Sequence, residues 1–199
     1  MRKLIMILLT LIMIFTSVPT VSAKTTITDI FLKSTPVSKE AFNAAVKYGN
    51  EYEIDPFLVI AVIEKESGGR SRVSGGGCYG LMGISRYWNR KRMKALSVTN
   101  LYDETQNVKV GANLLAELVN KYGEGRGLMC YNCGEAGAKR LKHLSAYAKK
   151  VLNRRDELKK AYEAAKEEYV IAKQVKMKAG IIESAKKKAV KEIMSAKSK

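Results

Sequence analysis

The sequence predicts an all-α chain: one helical domain followed by a C-terminal charged helical extension. Three observations point there. Prolines number 3 and hydrophobic residues 46%, with many Ala and Lys, a composition that suits buried helices over sheet. Apolar residues recur at spacings of three and four over several segments. No alternating apolar–polar run of useful length marks a strand, and no internal repeat appears.

Taken in order, residues 1–23 read as an address. Arg2 and Lys3 precede an apolar run from Leu4 to Phe15, and Val21-Ser22-Ala23 offers a small-residue cleavage site. A membrane span needs about 20 apolar residues, and this run has 12. The expectation is a signal peptide cleaved near Ala23 and a secreted, periplasmic or wall-associated protein.

Residues 24–39 lead into the first helix, with Ser38 as N-cap and the helix continuing towards Tyr52. Asp55-Pro56 opens the next helix, since Asp caps well and Pro is tolerated at a first position that needs no N–H partner. Phe57 to Ile63 are apolar without a break, so this helix should be buried on every side. A buried strand is the rival reading of such a run; the Asp-Pro start and the Glu64-Lys65-Glu66 end favour helix.

Residues 67–83 hold seven glycines and should form a loop that lets backbone approach a ligand. Asp103 and Glu104 read as loop residues capping a helix over Asn107–Tyr122. Gly123, Gly125 and Gly127 should make a turn, and residues 128–134 form a short aromatic and Cys segment. Helix resumes from Gly137 through Val151. From Lys149 the composition shifts to Ala, Lys and Glu. Leu158, Tyr162, Ala165, Tyr169 and Ala172 make a helical stripe, which predicts packing on the domain rather than a coiled coil. Gly180 interrupts it.

The net charge of +17 implies an anionic partner and says nothing of fold. Residues 24–148 carry 18 basic and 12 acidic side chains, and residues 149–199 carry 16 and 7, so the extension holds most of the excess. No basic–aromatic interleaving supports nucleic acid, which is not expected as a partner. A single histidine, His143, argues against metal and triad chemistries that need two or more. Cys78, Cys130 and Cys133 suit one disulfide and one free thiol in an exported chain better than a zinc site. Neither metal nor cofactor is expected.

Five local patterns follow one another. They are Ile63-Glu64-Lys65-Glu66-Ser67-Gly68, then Tyr79-Gly80-Leu81-Met82, then Asn107 with Gly111 and Leu114-Leu115. Tyr131-Asn132-Cys133-Gly134 and Tyr147-Ala148-Lys149-Lys150-Val151-Leu152 complete the set. Over roughly residues 40–152 this ordered set resembles the soluble lytic transglycosylase family, relatives of goose-type lysozyme. The resemblance implies a lysozyme-like catalytic domain over 40–152 with a basic helical tail over 153–199. It also implies a peptidoglycan substrate, cleaved at the β-1,4 bond between N-acetylmuramic acid and N-acetylglucosamine to leave a 1,6-anhydromuramyl end. Alternatives are a hydrolytic muramidase on the same fold and a non-catalytic wall-binding or assembly protein. The tail would add contacts to anionic wall polymers or a membrane surface.

The catalytic expectation falls on Glu66. A carboxyl at the end of an apolar helix holds its proton nearer neutral pH, as a general acid must. Glu64 shares that apolar background, and periodicity does not choose between them; the family's Glu-Ser motif picks Glu66. The resemblance further implies that Tyr147 orients Glu66, and that Ser67 bonds near Glu66 or the substrate. Tyr79, Leu81, Met82, Tyr131 and Asn132 would line the sugar groove. It also implies that Cys78 pairs with Cys130 or Cys133, because their motifs flank one cleft in the family. Two positions depart from the pattern: Gly83 stands where the family has Gln, and Gly69 where a bulky residue is common. Both predict a weaker grip on substrate.

Overall fold

The structure, a computed structural model, describes residues 25–197, so the expected signal peptide lies outside the described residues. Every motif above falls within one unit, residues 27–168.

A short helix α1 (Ile27–Phe31) and a 3-10 turn (Leu32–Ser34) lead to α2 (Lys39–Glu51). Ser38 caps α2 as expected, its Oγ accepting the Ala41 N–H at 3.0 Å. Helix α3 (Pro56–Ser67) starts at the predicted Asp55-Pro56, where Asp55 Oδ1 accepts the Phe57 N–H at 2.9 Å. Leu58 to Ile63 are all at most 1% exposed, so α3 is the central buried helix and not a strand. Each such side chain contributes about 2 kcal/mol relative to exposure. Gly68 ends α3 in the left-handed region.

The glycine loop contains a feature with no sequence signal. Three antiparallel strands of two residues each, β1 (Ser74–Gly75), β2 (Cys78–Tyr79) and β3 (Ile84–Ser85), pair in chain order. Tyr79 stands opposite Ile84 and Cys78 opposite Ser85. Strands this short show no alternation to read.

After α4 (Arg90–Ala95), Asp103 caps α5 (Glu104–Tyr122) by accepting the Gln106 N–H at 2.8 Å. Helix α5 packs against α2, α3 and α6 (Glu124–Lys139). Here the glycine turn predicted over 123–127 proves wrong, and the aromatic and Cys segment over 128–134 is part of the same helix. Only Gly123 breaks the chain. Gly125 and Gly127 are helical; a Cβ on Gly127 would lie 2.9 Å from the α5 backbone, so it permits close helix packing, and one on Gly125 would lie 2.5 Å from the Leu144 side chain. Helix continues to a kink at Gly134. It stops at Lys139, and α7 (Ala146–Lys197) begins after a break.

The first turns of α7 lie in the same unit, with Leu158 and Ala165 buried. Tyr162 meets Phe31 and Phe57 at ring centroids 5.4 Å away, so Leu158, Tyr162 and Ala165 of the stripe pack on the domain. From Tyr169 onward α7 belongs to a second unit. It runs through Gly180 without interruption and exposes Val170, Ile171, Met177, Ile181 and Ile182 among its lysines. Among the described residues no helix is long and apolar enough to cross a membrane.

Candidate active site

Glu66 sits on the last turn of α3, with the fully buried Val62 and Ile63 behind it. Its Oε1 accepts the Tyr147 O–H at 2.6 Å, so the first turn of α7 reaches the end of α3. Burial raises the Glu66 pKa, while the Tyr147 bond and the neighbouring Lys65 ammonium pull it partly back. No acidic group contributes to that shift. Burial and the charge of Glu66 push the Tyr147 phenol far up, so it remains a donor.

Glu64, two residues earlier, is committed elsewhere. Arg154 of α7 grips it through Nε at 2.6 Å and Nη2 at 3.1 Å, and the Thr35 hydroxyl donates at 2.6 Å. Farther along the same pair of helices Lys159 meets Asp55 at 2.6 Å. Asp55, Glu64 and Glu66 therefore pair with Lys159, Arg154 and Tyr147 in reverse order. This antiparallel seam fixes the register that puts Tyr147 on Glu66. Periodicity left the two glutamates equal; their partners separate them.

The loop facing Glu66 is pinned by Asn107, fully buried on α5. Its side chain accepts the Met82 N–H at 2.8 Å and donates to the Tyr79 and Leu101 carbonyls at 2.9 and 2.8 Å. The sequence marked Asn107 within a motif but gave it no role. Tyr131 on α6 donates to the Met82 carbonyl at 2.7 Å, and burial with the nearby Glu66 charge raises its phenol well above the ordinary value. Next in the loop is Gly83, with φ of 60°. A Cβ there would lie 2.9 Å from Glu66 Oε2, so only glycine leaves room beside the carboxyl.

Several expectations change. Leu81 and Met82 are fully buried and cannot line a groove with their side chains. The loop turns them inward, Met82 against Gly111, and the Met82 backbone anchors Tyr131. Ser67 donates to the Ile63 carbonyl at 3.0 Å, one turn back on its own helix, rather than to Glu66. Asn132 is exposed, while Tyr79 is half-buried beneath the Arg86 guanidinium.

The expected disulfide is not formed: Cys78, Cys130 and Cys133 are free thiols. Cys130 is buried and Cys133 exposed, its thiol donating to the Met129 carbonyl at 3.1 Å. Gly69 also has a reason, because a Cβ there would meet the Pro36 carbonyl oxygen at 2.5 Å.

Compared with known proteins, residues 43–170 match the model of the Transglycosylase SLT domain. The chain belongs to this family. A protein named "Transglycosylase" from Enterobacteria phage PRD1 is 41% identical over 86 residues, 42% of this chain and 31% of that one. The chain thus spans about a third of that relative's length. A solved structure of an inactive mutant of the lytic transglycosylase Slt from Pseudomonas aeruginosa is also similar. It is 18% identical with a TM-score of 0.49, over 73% of this chain and 25% of that one. The SLT match begins on α2 and ends just past the buried stripe of α7, so Glu66, Asn107, Tyr131 and Tyr147 all lie within it.

Proposed function

We propose that this SLT domain is a secreted peptidoglycan lytic transglycosylase with Glu66 as its single acid–base group. One observation carries the reading: a carboxyl at the end of a buried helix, its pKa raised by burial and its position fixed by the Tyr147 phenol. The protonated Glu66 gives its proton to the glycosidic oxygen as the bond from C1 of N-acetylmuramic acid breaks. N-acetylglucosamine leaves with a free 4-hydroxyl. The Glu66 carboxylate then takes the proton of the muramyl 6-hydroxyl, whose oxygen closes on C1. This forms the 1,6-anhydro ring and restores the acid. No water is consumed, and intramolecular attack removes the need to position one. Hydrolysis normally draws on a second carboxylate.

Tyr147 holds Glu66 in place through both transfers. The leader pattern of residues 1–23 supports export, and the lysine-rich exposed stretch of α7 supports contact with anionic wall polymers or a membrane surface. The test is mass spectrometry of fragments released from purified peptidoglycan by the mature chain and by Glu66→Gln. Anhydromuramyl ends made only with Glu66 present are expected. Reducing ends would make the protein a muramidase, and no release at all would leave a wall-binding role.

A further inference from the structure

Glu66 adjoins a surface of unusual charge. From Ser67 to Tyr102 the chain holds seven Arg and Lys residues and no Asp or Glu. Arg92 is paired with Glu117, and among the described residues no ion pair engages the other six. The same stretch carries two of the most exposed aromatic side chains, Tyr87 at 74% and Trp88 at 81%. Their rings meet edge to face at 4.9 Å, so each braces the other in solvent.

This aromatic pair is continuous with the site. Gly83 adjoins the Glu66 carboxylate, and Ile84 after it pairs with Tyr79 across the sheet. Arg86 lies 5.3 Å over the Tyr79 ring, and Tyr102 meets the same ring at 5.9 Å. Tyr87 and Trp88 come next. Trp88 is five residues from Gly83, at most about 18 Å even for extended chain.

We propose that Tyr87 and Trp88, with Arg86 and Arg90, form an added subsite for glycan bearing peptide stems. A sugar presents a C–H face that stacks on an aromatic ring, and a stem peptide presents carboxylates that guanidinium groups bind in fork geometry. A stretch of chain without acidic residues that holds exposed rings accommodates both, whereas an uncharged glycan uses only the rings. The inference rests on the peptidoglycan reading above and adds a preference for strands that keep their peptides.

Trp88 is the chain's only tryptophan, so intrinsic emission reports this site alone. The mature chain carrying Glu66→Gln would be titrated with peptide-bearing glycan fragments and with the same fragments stripped of peptide. A saturable blue shift is expected with both, at about fivefold lower concentration for the peptide-bearing form. In the chain that keeps Glu66, Trp88→Ala should raise KM about tenfold and leave kcat within about twofold. Arg86→Gln with Arg90→Gln should raise KM only for peptide-bearing fragments. All three side chains are exposed, so these variants fold. Emission that stays still at concentrations saturating fragment release overturns the subsite and leaves the role of Glu66 intact. Equal shifts at equal concentrations for both fragments overturn the peptide preference. Failure of the native chain to release any fragment overturns the peptidoglycan reading, and this inference with it.

Discussion

Glu64 and Glu66 stand two residues apart on one helix, and their surroundings give them different partners. Glu64 faces the guanidinium of Arg154 and the hydroxyl of Thr35. Paired with Arg154, Glu64 ties α3 to α7. Glu66 faces a neutral phenol and an apolar wall. Burial there raises its pKa. Burial without a paired cation is what raises a carboxyl's pKa.

The sharpest way to break this contrast is Glu66→Gln. Fragment release should fall about 10³-fold, the scale of a lost general acid. Stability should move the other way. The folded pKa of Glu66 is raised, so ionising it costs stability as pH climbs from the unfolded carboxyl range through the folded value. Gln removes that cost. Thermal melts at pH 7 should show the variant at least as stable as the native chain, and melts near pH 3 should show the two alike. A loss of both activity and stability at pH 7 would mean that Glu66 is a structural residue.

Next in size is Tyr147→Phe, which keeps the ring and removes the donor. Release should fall about thirtyfold through lost orientation. The Tyr147 bond lowers the Glu66 pKa, so its removal raises that pKa further. The acid then survives to higher pH, and the alkaline limb of the pH–rate profile should move upward. A limb that stays fixed would mean that Glu66 does not set it.

The sequence revealed α3 and its N-cap because a buried helix leaves an unbroken apolar run and Asp-Pro marks its start. It revealed Glu66 and Tyr147 only through motif order, since the two lie 81 residues apart and no local periodicity connects them. The sheet stayed hidden because its strands have two residues each. The glycines of α6 misled because they serve close packing rather than a turn. Leu81 and Met82 belonged to a motif, and a motif does not say which of its residues act through side chains and which through backbone. Arg154 gave no signal, because its meaning lies in a partner 90 residues away.

A smaller effect is expected at Gly83, where restoring the family's Gln would seem to return a substrate contact. The geometry predicts the reverse. A left-handed backbone costs a side chain about 1 kcal/mol, and the new Cβ would press on Glu66 Oε2. Gly83→Gln should lower kcat about tenfold, with Gly83→Ala close behind. Gains from Gln with losses from Ala would show that the loop relaxes and that the contact outweighs the crowding.

The smallest effect on activity should come from Glu64→Gln. The substitution leaves Arg154 without its main anion, but that side chain is 32% exposed and water recovers part of the loss. The expected cost is about 1–2 kcal/mol in urea unfolding, with release within about threefold through slight loosening of Tyr147. Replacing both partners, Glu64→Met with Arg154→Met, should recover most of that stability, because no charge is left buried without its partner. The double variant separates the two carboxyls most cleanly. If it folds and releases fragments near the native rate, the Glu64 charge is a tie and nothing more. If it folds and is as inactive as Glu66→Gln, proton transfer is shared along α3 and the contrast between the two carboxyls collapses.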